Sequence, residues 1–92
     1  MAVLTASNAT VEWSTGSSER TAVIALKKVT TGDTLDLNSP TAIQLFSVVK
    51  RAVAVGTTVA GQATLTVAGT TITMPAGLTD DAAYALVYGC AL

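Results

Sequence analysis

The sequence predicts an all-β fold: a single-domain antiparallel β-sandwich or partly closed barrel over residues 1–92, immunoglobulin-like or jelly-roll-like, with about seven short strands. Three observations predict it. Apolar residues and threonines alternate with a period of two, as in Ala63-Thr64-Leu65-Thr66-Val67, and that period sends successive side chains to opposite faces of a strand. Turn-forming clusters recur after roughly ten residues, the spacing of sandwiches and barrels. Helical periodicity is nearly absent, whereas the β-branched Val, Ile and Thr that suit a pleated surface are abundant.

Taken in order, the first strand covers residues 8–15, with Val11 and Trp13 expected on one face, and ends at the turn Gly16-Ser17-Ser18. Residues 20–29 follow. The run Ala22-Val23-Ile24-Ala25-Leu26 is apolar on both faces, as expected of a central strand covered on each side. The cluster Thr30-Thr31-Gly32-Asp33 is a turn by composition, and Thr34-Leu35-Asp36-Leu37 restarts the alternation until Asn38-Ser39-Pro40 breaks it. Residues 41–46 leave room for one helical turn. The longest strand spans residues 45–55, where Val48, Val49, Val53 and Val55 favour a sheet. Lys50 and Arg51 interrupt it, and strict alternation puts them on opposite faces, so at least one must leave the core. Residues 56–61 form a loop or bulged connection.

Residues 63–74 read as a β-hairpin about Ala68-Gly69-Thr70, with Leu65, Val67, Ile72 and Met74 facing the core. The C-terminal piece passes through Pro75-Ala76-Gly77 and Leu78 to the run Tyr84-Ala85-Leu86-Val87-Tyr88. Two roles fit Tyr84. It is either the tyrosine of a sandwich corner, its hydroxyl turned back on the loop that contains Leu78, or a plain core aromatic.

Composition narrows function by what it omits. The chain has no histidine, one cysteine, five Lys and Arg and six Asp and Glu, so the usual proton shuttles, metal cages and activated nucleophiles are missing or scattered. The expectation is a non-enzymatic protein without cofactor or metal. Asp80-Asp81 is the only acidic pair, and no Asp-x-Asp-x-Asp-Gly loop accompanies it. Asp33 and Asp81 suit turn-forming bonds to nearby backbone instead. Serine chemistry lacks a base, because Lys27, Lys28 and Lys50 stand in no Ser-x-x-Lys arrangement. Single glycines such as Gly56 and Gly61 make no phosphate loop.

A formal net charge of −1 gives no electrostatic footprint for nucleic acid. Lys27-Lys28 and Lys50-Arg51 are the only basic clusters, and alternation keeps either from forming a one-sided patch. Apolar runs such as residues 22–26 fall far short of the ~20 needed to cross a bilayer. The opening Met1-Ala2-Val3-Leu4-Thr5 has neither the basic leader nor the apolar core of a secretory signal, which predicts folding in the cytoplasm; a mature secreted fragment also fits, and only then would the acceptor tripeptide Asn8-Ala9-Thr10 matter. Cys90 has no partner for an intramolecular disulfide and reads as a small apolar filler, with an interchain disulfide as the alternative. Trp13, the only tryptophan, sits among small and polar residues. It is either core filler or an interface anchor.

Three segments then carry a resemblance: Val29-Thr30-Thr31-Gly32-Asp33-Thr34-Leu35-Asp36-Leu37, the strand Phe46-Ser47-Val48-Val49-Lys50-Arg51-Ala52-Val53, and the tail over residues 72–89. In style and segment order they resemble the small structural proteins of tailed-bacteriophage virions, above all capsid decoration or cement proteins. The resemblance implies a β-sandwich made in the host cytoplasm that adheres to the major capsid protein on the virion surface and reinforces the shell. A homo-oligomer, with a trimer favoured, is the expected form, and the expected contacts are strand edges, threonine-rich surfaces and residues Trp13, Lys27, Lys28, Lys50 and Arg51. The chain departs from the family in lacking a long amino-terminal arm. Two other roles stay open: a tail, neck or fibre-base component, and an immunoglobulin-like adhesion or carbohydrate-binding module.

Overall fold

The fold, taken from a computed structural model that describes residues 2–56 and 62–92, is all-β. Its strands are β1 (Ala9–Thr15), β2 (Glu19–Val29), β3 (Thr34–Asp36), β4 (Phe46–Val55), β5 (Gln62–Thr64), β6 (Thr66–Ala68), β7 (Thr71–Thr73) and β8 (Asp81–Ala91). They form two sheets, one of five strands in the order β1-β2-β8-β4-β5 and one of three in the order β3-β7-β6, with every pairing between them antiparallel. Each sheet keeps two edges, so the fold is a sandwich and not a closed barrel. Residues 41–46 contribute turn and bend, not helix. The expected loop over residues 56–61 lies, beyond Gly56, outside the described residues.

The core follows from the alternation. On the large sheet Ala22, Ile24 and Leu26 of β2 stand beside Val87, Ala85 and Ala83 of β8, and Ala52 and Ala54 of β4 continue the first two rows. From the small sheet Leu35 and Ile72, paired across β3 and β7, fill the same cluster with Leu37, Phe46 and Leu78. Alanine therefore supplies much of the large sheet's inner face, which leaves the volume to the longer side chains. The expectation that β2 is covered on both faces is overturned. Only its inward set is buried, while Val23 and Ala25 on the other face are half-buried.

The residue run read as one hairpin arm is two strands in two sheets. β5 pairs with β4, β6 pairs with β7, and the buried Leu65 between them donates its amide to Ala52 O at 2.9 Å. Alternation continues unbroken through Leu65, so nothing in the pattern marks the change of sheet. Leu65, Ile72 and Met74 are buried as expected; Val67 is half-buried.

The small sheet has strands of only three residues and is held by side chains as much as by its ladder. Buried Asp33 accepts the Ala2 amide on Oδ1 at 2.8 Å and the Thr30 amide on Oδ2 at 2.9 Å. These bonds, Ala2 first, hold its carboxyl below the ordinary carboxylate range against the opposing effect of burial. They also fix residues 2–4 along β3, where Leu4 donates to Thr34 O and Thr34 donates to Ala2 O. Asp36 Oδ1 accepts Thr70 Oγ1 at 2.8 Å and the Asn38 amide at 2.9 Å, and Asp81 Oδ2 accepts the Thr79 amide.

Candidate functional site

The outward face of the five-stranded sheet is set by three rows. Trp13 of β1 lies opposite Val23, Val23 opposite Leu86, Leu86 opposite Val53, and Val53 opposite Thr64. One rung to one side run Thr10, Ala25, Tyr84 and Val55; one rung to the other run Thr15, Thr21, Tyr88 and Arg51. Three of the four aromatic residues thus emerge on this face, with Trp13 52%, Tyr84 48% and Tyr88 38% exposed, and only Phe46 serves the core. Strand geometry separates Tyr84 from Tyr88 by roughly 13 Å and sets Trp13 roughly 10 Å to their side. Val23 and Leu86 fill the space between.

Trp13 reaches this face because β1 is irregular. The register with β2 shifts between Val11 and Trp13, so Val11 stays opposite the buried Ile24 while Trp13 moves opposite Val23. The expectation that Val11 and Trp13 share a face is therefore corrected: the extra residue, Glu12, reverses the alternation. The core-filler role of Trp13 falls with it, since half of its surface is exposed.

Both basic pairs sit at similar irregularities. In β4 the register shifts between Val49, opposite Gly89, and Arg51, opposite Tyr88, so Lys50 is the inserted residue. Lys50 Nζ lies 5.9 Å from the Tyr88 ring centroid and 3.6 Å from Glu19 Oε1. Lys50 and Arg51 hence share the outward face, which corrects the opposite-face expectation. In β2 the register shifts between Leu26 and Val29, and Lys28 takes φ 56° there, leaving Lys27 and Lys28 both exposed between two buried residues. The two pairs are not brought together. They lie near the Leu26–Ala83 and Arg51–Tyr88 rungs, roughly 17 Å apart along β8.

At the Lys50 end, Tyr88 donates its hydroxyl to Glu19 Oε1 at 2.8 Å. That bond, ahead of desolvation and the Glu19 charge, holds the phenol above its ordinary range. Half-buried Cys90 lies opposite Glu19 and Val48 on the same face. At the other end a shallow depression of about 450 Å³ is lined by Ala25, Leu26, Val55, Gly56, Ala82, Ala83 and Tyr84. Its lining holds no titratable group except the Tyr84 phenol.

The corner role of Tyr84 is overturned. Ala83, Ala85 and Val87 point inward from β8, so Tyr84 points outward, between Ala25 and Val55, and no hydrogen bond of its hydroxyl occurs among the described residues. Leu78 is buried as a corner residue should be, but its loop is tied by threonines. The Leu78 amide donates to Thr31 Oγ1 at 3.0 Å, Thr31 N donates to Leu78 O at 3.1 Å, and the Asp80 amide donates to Thr30 Oγ1 at 3.1 Å. A sequence signal for the outward face existed. A basic pair inside a strand that must keep both charges in water calls for a bulge, and Lys27-Lys28 and Lys50-Arg51 each have one. Compared with protein-family models, curated proteins and solved structures, the chain matches none of them.

Proposed function

We propose that the protein is a non-enzymatic virion structural protein, a decoration or cement protein that docks on the assembled major capsid protein. The observation that carries this function is the outward face of the large sheet, where Trp13, Tyr84, Tyr88 and Arg51 stand exposed around Val23 and Leu86. Trp, Tyr and Arg are the residue types that dominate interface hot spots. The resemblance over residues 29–89 supplies the kind of partner, and repetition of one docking unit over a lattice or within a homo-oligomer, a trimer by preference, multiplies a modest single affinity.

Few of the contacts on this face are ionic, and the one ion pair among the described residues, Lys50 with Glu19, is exposed. Attachment should therefore resist salt. Purified protein is added to undecorated heads at low salt and at about 1 M salt, where the screening length falls to about 3 Å. Near-equal occupancy is expected; release at high salt would transfer the docking to Lys27, Lys28, Lys50 and Arg51. The same three exposed aromatics favour a second function, a carbohydrate-binding or adhesion module, because ring faces also stack on sugar rings. No binding to heads at either salt, with Trp13-dependent binding to immobilised glycans, assigns that function instead.

A further inference from the structure

The edges of the two sheets are treated unequally. β5 and β6 are only three residues long, and the outer edge of β3 is occupied by residues 2–4, through the parallel Val3–Thr34 bridge and its flanking hydrogen bonds. Short or covered edges are how sheets avoid pairing with other chains. β1 is different. It has seven residues and no proline or lysine, and among the described residues no hydrogen bond or strand meets its outer side.

We propose that the open edge of β1 is a strand-addition site, occupied by an extended segment of another protein chain that becomes a sixth strand of the large sheet. This deepens the docking proposed above and rests on it for the identity of the partner. The backbone supplies the recognition. Lys27 N donates to Asn8 O at 2.9 Å, and counting the antiparallel alternation from that rung turns the N–H and C=O of Ala9, Val11 and Ser14 to the open side. Side chains supply the selectivity. An added strand runs beside Val11, 37% exposed on the core side, and Trp13 on the outward side, so it covers apolar surface on both faces at once.

Glu12 decides between a second copy and a different chain. It is exposed, is the only charge on β1, and takes part in no ion pair among the described residues. Two β1 strands centred on each other would set Glu12 against its own copy, and like charges directly opposite are unfavourable. A different chain with Lys or Arg at that position removes the conflict. The inferred occupant is thus an extended segment with an apolar residue beside Trp13 and a basic residue facing Glu12.

The test is Val11→Pro, which deletes an outward N–H while leaving the bonds to β2 in place, a position where an edge strand tolerates proline. Ser14→Pro does the same at another open rung, and circular dichroism and the unfolding midpoint establish that each variant folds. Binding to undecorated heads is measured with amide hydrogen exchange. The expected result is protection of the Val11 and Ser14 amides by at least tenfold on binding, and at least a tenfold weaker affinity of either folded proline variant. Unchanged affinity of both variants, or no added protection, overturns the strand-addition site even though head binding stands. If heads are not bound at all, a displayed library of random seven-residue peptides is the probe. Enrichment of basic, β-branched peptides that fail to bind Val11→Pro supports the edge without the capsid assignment, and no such enrichment overturns it. A dimer in sedimentation that Val11→Pro abolishes would place a second copy on the edge and overturn the choice of a different chain.

Discussion

The two sheets share a core but are built and surfaced in opposite ways. The large sheet relies on long ladders, with β2 and β8 each eleven residues, and shows rings and aliphatic side chains on its outward face. The small sheet has three-residue strands tied by Asp33, Asp36 and Thr31, and its outward row is Thr34, Thr73 and Thr66. Hydroxyls on that row lose little by facing water. The difference teaches that a threonine-rich composition does not make both faces alike: the face departing from it is the one that leaves Trp13, Tyr84 and Tyr88 exposed.

The largest effect should come from the large sheet's tightest point. A Cβ on Gly89 would run into the Val48 carbonyl oxygen and lie 2.9 Å from Val49 Cα, both backbone atoms of β4 that cannot turn aside. Gly89→Ala should lower stability by about 3 kcal/mol, read from the urea midpoint. A wild-type midpoint would mean that β4 and β8 are not in that close contact.

Next comes the small sheet's clamp. Asp33→Ala removes two hydrogen bonds to a buried carboxylate and should cost about 2 kcal/mol at neutral pH. Because the folded carboxyl is held below its ordinary value, its contribution is present above the unfolded value of about 3.9 and is lost as pH falls through that value toward the folded one. The gap between wild type and Asp33→Ala should therefore narrow on acidification. A gap that stays constant down to pH 2 would show that the Asp33 charge does not hold residues 2–4 against β3.

The smallest effect is expected at Tyr84. Its hydroxyl accepts and donates no hydrogen bond among the described residues, so Tyr84→Phe should change stability by less than about 0.5 kcal/mol. Thr31→Val, which breaks the tie to Leu78, should cost more than that when the urea midpoints of the two variants are compared. Reversal of that order would return the loop to Tyr84 and restore the corner.

Much of this architecture was legible in the chain. Ala63-Thr64-Leu65-Thr66-Val67 shows its period of two without any partner, and the strands at residues 9–15, 19–29 and 46–55 begin and end within a residue of where alternation and turn chemistry put them. Composition alone likewise carries the shortage of charge and the want of imidazole. These are local properties, fixed by which side chains prefer a pleated surface and which backbones accept a turn.

Only the tertiary structure decided which face each strand turned outward and which sheet it joined. Inserted Glu12 reverses the alternation with no mark in its own strand, since a bulge depends on how two distant strands fit; only the basic pair Lys50-Arg51 hints at the second one. The chain changes sheets at Leu65 with its pattern intact because alternation marks only which residues face the core, and both sheets face the same core. Tyr84 left the corner for the same reason: whether it points in or out is set by its neighbours Ala25 and Val55, which lie 59 and 29 residues away in the chain, and no window around Tyr84 contains them.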